Sequence, residues 1–276
     1  MKRIAVQGIV GSFHEDAALK YFGDEVEIVE SKTFTTVCEL VDNDKVDFAV
    51  MAIENSIAGS LLKNYQLIRD YHLRITGEIF LHIQMNLLVN EGVKSADIKH
   101  IYSHPVALQQ CMEYIENNFP NAELHESLDT AASSKKVFEE KLMDAAAIGN
   151  TRSAELYHLT ALETGVETNK RNYTRFLILS KHGNPTEGTN KASICFEVGH
   201  FYGALARVLN IFAENKINLN KIQSVPILGK PNEYTIHVDI EWDKPENYDW
   251  AIHQVLKSAS SLSILGEYKR GDLNYQ

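Results

Sequence analysis

The sequence predicts an α/β protein in two parts, and three observations predict it. Phe48-Ala49-Val50-Met51-Ala52-Ile53 is a continuous apolar run, the kind that fills a central parallel strand. Strand-like and helix-like segments alternate as far as Leu179, which gives a mostly parallel sheet. Further on, Tyr234, Ile236, Val238, Ile240 and Trp242 alternate with Thr235, His237, Asp239 and Glu241, the period of a strand with one covered face. The expected domains are residues 1–181 and 191–276. The polar segment Lys181 to Asn190, with Gly183, Pro185 and Gly188, joins them as a linker.

Composition narrows the function. The formal net charge of −10 over 276 residues argues against nucleic acid, whose binding needs basic patches. The global field does not draw an anion inward, so any anion site is local. Cys38, Cys111 and Cys195 are far apart and odd in number, with no CxxC pair, and read as buried, reduced thiols. Met1 to Val6 runs straight into a strand without a signal peptide's apolar region, and no later run is long enough to span a bilayer. A cytoplasmic protein is expected. The 11 histidines are scattered, and there is no HExxH, Cys/His cluster or dinucleotide motif.

Element by element, Ile4-Ala5-Val6 is a strand, Gly8 to Ser12 a tight turn, and Phe13 opens a helix that Ser12 caps. A strand, a glycine turn and a helix start can hold an anion on free N–H groups; the same residues also serve as a simple turn. The spacing is neither GxGxxG nor a P-loop, so a carboxylate or hydroxyl is the better ligand. Val26 to Val29 is a strand, and Thr33 caps a helix with Val37, Leu40 and Val41 on its apolar face. The central run then ends in Glu54-Asn55-Ser56-Ile57-Ala58-Gly59-Ser60. Polar groups at the carboxyl end of a buried strand are where open α/β sheets bind ligands, although Ser56 and Ser60 suit capping and a turn equally well. A helix is expected over residues 61–75 and a long extended ribbon over Glu78 to Val89, able to carry the chain between lobes. Ile101-Tyr102-Ser103 is a strand, and Pro105 suits the first helical position after His104. His104 is a candidate acid or hydrogen-bond donor, with a structural role as the alternative. Asp129 caps a helix from Thr130, Ala145 to Gly149 is a strand, and Ser153 to Leu159 is helical. Asn172-Tyr173-Thr174-Arg175-Phe176 precedes the apolar strand Leu177-Ile178-Leu179 and sets a hydroxyl, a guanidinium and a ring side by side.

These stretches, in this order, resemble the prephenate dehydratases: Gly11-Ser12-Phe13, Glu54-Asn55-Ser56 with Gly59-Ser60, Ser103-His104-Pro105 with Ala107-Leu108 and Gln110-Cys111, Asp129-Thr130-Ala131, and Asn172 with Thr174-Arg175-Phe176. The resemblance spans essentially the whole chain. It implies a two-lobed catalytic domain similar to type 2 periplasmic binding proteins. It also implies conversion of prephenate to phenylpyruvate without cofactor or metal. Thr174 is then the residue expected to hydrogen-bond the departing hydroxyl, with Glu54 or His104 supplying or relaying the proton and Ser56 beside them. Arg175 is suited to a bidentate carboxylate contact. Backbone N–H groups around Ser12 and Ser56 are expected to hold carboxylate oxygens. Asn55, Ser60, Ser103, Thr130 and Asn172 complete the expected substrate site, with Phe176 in the ring pocket or in the core. His14 stands where the family often has serine, and Gly149-Asn150-Thr151-Arg152 replaces a small-residue run.

After the linker come a strand at Ala192 to Val198, a helix face at Leu205, Val208, Leu209 and Phe212, an extended Ile217 to Val225, and the alternating strand. A helix with Ile252, Val255, Leu256 and Ala259 and a last strand at Leu262 to Tyr268 follow. The order βαββαβ is ferredoxin-like and looks like an ACT domain. In this family such a domain binds phenylalanine as feedback inhibitor and pairs chains into dimers or tetramers. Gly203, Ala204, Leu205, Asn218 and Leu219 match the effector motif. Gln223-Ser224-Val225-Pro226 departs from the family's Glu-Ser-Arg-Pro, and Tyr202 replaces a proline, so a domain kept for oligomerisation alone is the alternative. Arogenate as substrate, or a ligand sensor without catalysis, are the other readings.

Overall fold

The computed structural model describes residues 1–183, 188–227 and 229–272; residues 184–187 of the expected linker lie outside these. The chain divides into two compact units, Met1–Asn64 with Ile79–Phe176, and Tyr65–Glu78 with Leu177–Gln276. Segment 65–78 therefore groups with the C-terminal part of the chain.

Along the chain, the elements open with β1 (Lys2–Gln7), α1 (Phe13–Phe22), β2 (Val26–Ser31), α2 (Phe34–Asp42), β3 (Phe48–Asn55) and β4 (Gly59–Ser60). Then follow α3 (Leu62–Asp70), β5 (Arg74–His82), β6 (Asn86–Val89), β7 (His100–Ser103), α4 (Pro105–Gln110), α5 (Met112–Asn118) and β8 (Glu123–Glu126). Next come α6 (Thr130–Glu139), β9 (Ala145–Gly149), α7 (Thr151–Leu156), β10 (Thr160–Thr164) and β11 (Tyr173–Ser180). One sheet has the order β2-β1-β3-β11-β5, with β4 on β3, and the other β10-β6-β9-β7-β8. β1 runs parallel to β2 and β3, and β7 parallel to β8 and β9. β6 runs antiparallel to both β9 and β10. The expected central strand is buried from Ala49 to Ile53. The chain passes between the sheets twice, at residues 83–85 and 165–172, where the Ile83 amide donates to the Asn172 carbonyl at 2.7 Å.

Several boundaries differ from expectation. The helix over 61–75 stops at Asp70, because His72 is left-handed (φ 52°) and Ile75 and Thr76 are β-branched. The 78–89 ribbon is two strands broken at the crossing. The helix at 153–159 runs from Thr151 to Leu156, capped by Asn150, whose Oδ1 accepts from the Ser153 amide at 2.9 Å. β8 and β10 carry no strand pattern in the sequence: β8 is half exposed, β10 almost wholly so, and both are short of apolar residues. Thr174 to Phe176 lie inside a strand rather than ahead of one.

In the second unit β12 (Lys191–Glu197), α8 (Ala204–Glu214), β13 (Asn218–Pro226), β14 (Tyr234–Glu241), α9 (Pro245–Ser258) and β15 (Ser261–Tyr268) give the βαββαβ order. Its sheet runs β13-β14-β12-β15, all antiparallel. Ile194, Phe196, Val208, Phe212, Val238, Ile240 and Val255 form its core. Among the described residues no helix is long and apolar enough to cross a membrane, and the three cysteines are buried and unpaired.

Candidate active site

Strand ends and helix starts of the first unit meet at a cavity of about 420 Å³. Ser12, Asn55, Ser60, His104, Thr130, Thr174 and Phe176 all line it. Glu54, Ser56, Ser103, Asn172 and Arg175 do not.

Strand alternation explains the division on β11. Thr174 and Phe176 are two apart and share the cavity face, so Arg175 between them turns to the other side, where it is buried. Arg175, expected at a substrate carboxylate, is therefore not among the residues that line the cavity. Glu54 is half buried beside Asn55 and pairs in register with Ser60. Ser103 is fully buried and donates to the Ile148 carbonyl at 2.7 Å, tying β7 to β9. Exposed Ser56 accepts from the Tyr173 amide and donates to the Arg171 carbonyl, both at 2.9 Å.

Several of the amides around Ser12 and Ser56 are already taken. The Val10 amide donates to Glu30 at 2.7 Å, and the Gly11 amide donates to Glu15 at 2.5 Å. The Gly8 amide reaches the Ser31 carbonyl and the Ser12 amide the Ile9 carbonyl. Gly8 and Gly11 hold φ of 99° and 93°, and a Cβ on Gly8 would lie 3.0 Å from Asp129 Oδ2. Ser12 caps α1 by accepting from the Glu15 amide at 3.3 Å. The Ser56 amide donates to the Tyr173 carbonyl at 2.8 Å. An anion at these particular amides would have to displace the protein's own acceptors.

Thr174 sits in an amide network instead. Asn55 Nδ2 donates to Thr174 Oγ1 at 2.9 Å and to Asn172 Oδ1 at 2.7 Å. Asn172, wholly buried, donates to Gln110 Oε1 at 3.0 Å. Asn55 Oδ1 accepts the Ile57 and Ala58 amides at 3.0 and 2.8 Å, which fixes the side chain. With its oxygen accepting from Asn55, the Thr174 hydroxyl has its proton left to donate into the cavity. Asn172 therefore acts one layer behind the site.

The two histidines of the cavity are neutral near pH 7. Burial pulls His14 down to about 4, and its Nε2 accepts from the Ala52 amide at 3.4 Å. His14 stands edge-on to Phe176 at 5.1 Å and beside Phe34 at 5.5 Å, so the three rings form one wall. Burial also lowers His104, against the opposing pull of Asp129 and Glu126. Its Nδ1 accepts from the Val106 amide at 3.3 Å, which caps α4 and assigns the proton to Nε2. Burial raises Asp129, while the amides of Ala132, Ile9 and Ala131 hold it back. Among the lining residues there is no lysine or arginine.

Gln110, Asp129 and His14 line the cavity as well, outside the expected site residues. Gln110 follows Ala107 by one helical step on α4, and both line the cavity; the i, i+3 spacing was the available signal. Asp129 is also the cap its residue type predicts, accepting from the Ala132 amide at 2.6 Å. His14 departs from the family pattern, and its place on the wall follows only from the fold.

A family model for prephenate dehydratase matches residues 4–184. The chain is 35% identical over 281 residues to arogenate dehydratase/prephenate dehydratase 2, chloroplastic, of Arabidopsis thaliana, covering 96% of this chain and 72% of that protein. The solved prephenate dehydratase of Arthrobacter aurescens in complex with L-Phe is similar at a TM-score of 0.86 and 26% identity, over 97% of this chain and 90% of that one. GqqA, described as a novel type of quorum quenching acylase, is similar at 0.87 and 27% identity over 98% of each chain.

Proposed function

This chain belongs to the prephenate dehydratase family: it is a lyase that converts prephenate to phenylpyruvate with loss of carbon dioxide and water, and we propose that Thr174 is the group at which the hydroxide leaves. In that reaction the bond to the ring carboxylate breaks, its electron pair completes the aromatic ring, and the C–O bond opposite breaks. Hydroxide then takes a proton and departs as water. The observation that carries the assignment is the 2.9 Å bond from Asn55 Nδ2 to Thr174 Oγ1. It polarises the hydroxyl and points its proton into the cavity. A threonine is a poor Brønsted acid, so it stabilises the leaving oxygen by hydrogen bonding. His104, with Nε2–H at the cavity, relays the proton in preference to Glu54, which does not line it. Ser12, Ser60, Thr130 and Gln110 offer neutral donors for the carboxylates, and the His14, Phe34 and Phe176 wall takes the ring.

For the fold we propose a core similar to type 2 periplasmic binding proteins, supported by the two crossings between sheets. Residues 191–276 read as an ACT domain, supported by the βαββαβ order. Gly203 caps α8 with φ 79°, Ala204 and Leu205 pack inward, and Asn218 and Leu219 open β13. Phenylalanine is the proposed effector, because the Arthrobacter aurescens relative was solved with L-Phe. Exposed Phe201, Tyr202 and Ile222, with β13 at the sheet edge, support pairing between chains. Three buried thiols suit a reducing compartment, the cytoplasm in our reading.

Arogenate is the second reading, favoured by the double name of the Arabidopsis thaliana relative. An acylase needs a hydroxyl activated by a base; Thr174 receives an amide donor, which is no base. The deciding experiment measures phenylpyruvate from prephenate and phenylalanine from arogenate, with and without added phenylalanine. A larger kcat/KM on prephenate, suppressed by phenylalanine, is expected. A larger value on arogenate would replace the substrate, and turnover indifferent to phenylalanine would remove the effector.

A further inference from the structure

The histidines are scattered in sequence, but the five-stranded sheet brings two of them together. β7 and β8 are parallel with His100 opposite Glu123 and Tyr102 opposite His125. Glu123 and His125 are two apart on β8 and so share a face with His100. His100 Nδ1 lies 3.1 Å from His125 Nε2 and 3.5 Å from Glu123 Oε2, and His125 Nε2 lies 3.9 Å from the same oxygen. Two nitrogens and one oxygen thus form a small triangle.

We propose that His100, His125 and Glu123 bind a divalent transition metal ion of the zinc class. Donors about 2.0–2.1 Å from a tetrahedral zinc ion stand roughly 3.3 Å from one another. The three separations bracket that value, so the triangle matches one face of the tetrahedron with little movement. The fourth position is open to water. The support is of the kind metal-binding histidines use. Asp144 Oδ2 lies 4.0 Å from His100 Nε2, so a carboxylate stands on the side of the ring away from Nδ1, a step outside hydrogen-bond range. The Tyr102 ring stacks on His125 with centroids 4.4 Å apart and planes at 14°, fixing the orientation of that imidazole. Two imidazoles and a carboxylate favour zinc, nickel or copper over magnesium or calcium.

The position argues for a structural clamp. β8 is the edge strand of its sheet, and the triangle joins its start to the start of β7. Ser103 and His104 follow at the other end of β7, so the ion would stand away from the cavity. Binding to the folded chain alone would raise thermal stability by mass action.

The test titrates zinc, and cobalt as a spectroscopic probe, into the full chain prepared without a histidine tag and stripped of metal. One equivalent of zinc is expected, with a raised Tm and the absorption bands of four-coordinate cobalt, while magnesium and calcium leave Tm unchanged. His125→Ala and Glu123→Gln should each weaken zinc at least tenfold and leave prephenate turnover as it was. Should His125→Ala fail to fold, Glu123→Gln and the cobalt spectrum still decide. Absence of saturable binding, six-coordinate cobalt bands, or affinity unchanged in both variants would overturn the proposal.

Discussion

At the scale of single residues, the side chains that matter most are the ones whose hydrogen bonds decide where a proton points. Thr174 accepts from Asn55 at 2.9 Å, which leaves its hydroxyl proton to donate to a ligand. Thr174→Ala should lower kcat by about 10²–10³, the usual effect of losing one donor to a developing oxyanion, while circular dichroism and Tm stay close to wild type. Thr174→Ser should recover part of the rate. A drop in KM alone would count against the role. His237 gives a separate prediction. Burial, helped by Arg69 and Lys221 and opposed by Asp239, pulls it down to about 4 from 6.5. The unfolded chain therefore takes up this proton first as the medium is acidified. Its contribution to stability is complete above pH 6.5 and is lost as pH falls to 4. Denaturant titrations of wild type and His237→Leu should diverge across that window, by on the order of 3 kcal/mol.

At the scale of elements, close approaches and caps set the geometry. β15 passes the backbone of β5 so tightly that a Cβ on Gly266 would lie at 2.0 Å from the Ile75 carbonyl oxygen. Backbone cannot give way as a side-chain tip can, so Gly266→Ala should lower Tm by several degrees, and Gly266→Val more. Caps were the features most legible in the sequence. Ser12, Thr33 and Asp129 each accept an amide three residues on, as their residue types predict. The β3 run and the alternating β14 were equally plain, because period and apolarity are local properties. β8 and β10 were hidden because they are largely exposed and carry no apolar alternation, so pairing with a neighbouring strand alone makes them strands. The end of α3 was hidden because the left-handed His72 carries no mark that a residue type reveals.

At the scale of the whole chain, the second unit is tied together by a buried ionic group. Lys191 Nζ lies 2.9 Å from Glu78 Oε1 and 3.1 Å from Glu241 Oε1, with all three side chains at most 9% exposed. Glu241 also meets Arg270 at 3.2 Å. Removing the lysine leaves two carboxylates buried together, so Lys191→Met should cost about 3–5 kcal/mol in urea denaturation. Adding Glu78→Gln and Glu241→Gln to that variant should restore much of the loss. Equal stability of Lys191→Met and wild type would show that the group contributes nothing. The sequence by itself determined the alternation of strands and helices, the βαββαβ order, the caps, and a set of motifs specific enough to carry the family. These follow from periodicity and residue chemistry, which are local. Only the tertiary structure decided that Arg175 faces away from the cavity that Thr174 and Phe176 line. Only it showed that several amides of the two turns are taken by the protein's own acceptors, and that Asn55, itself bonded to Asn172, holds Thr174. It also gathered His100, Glu123 and His125 from two strands. Each of these depends on strand register and sheet facing, which arise from pairings far apart in the chain.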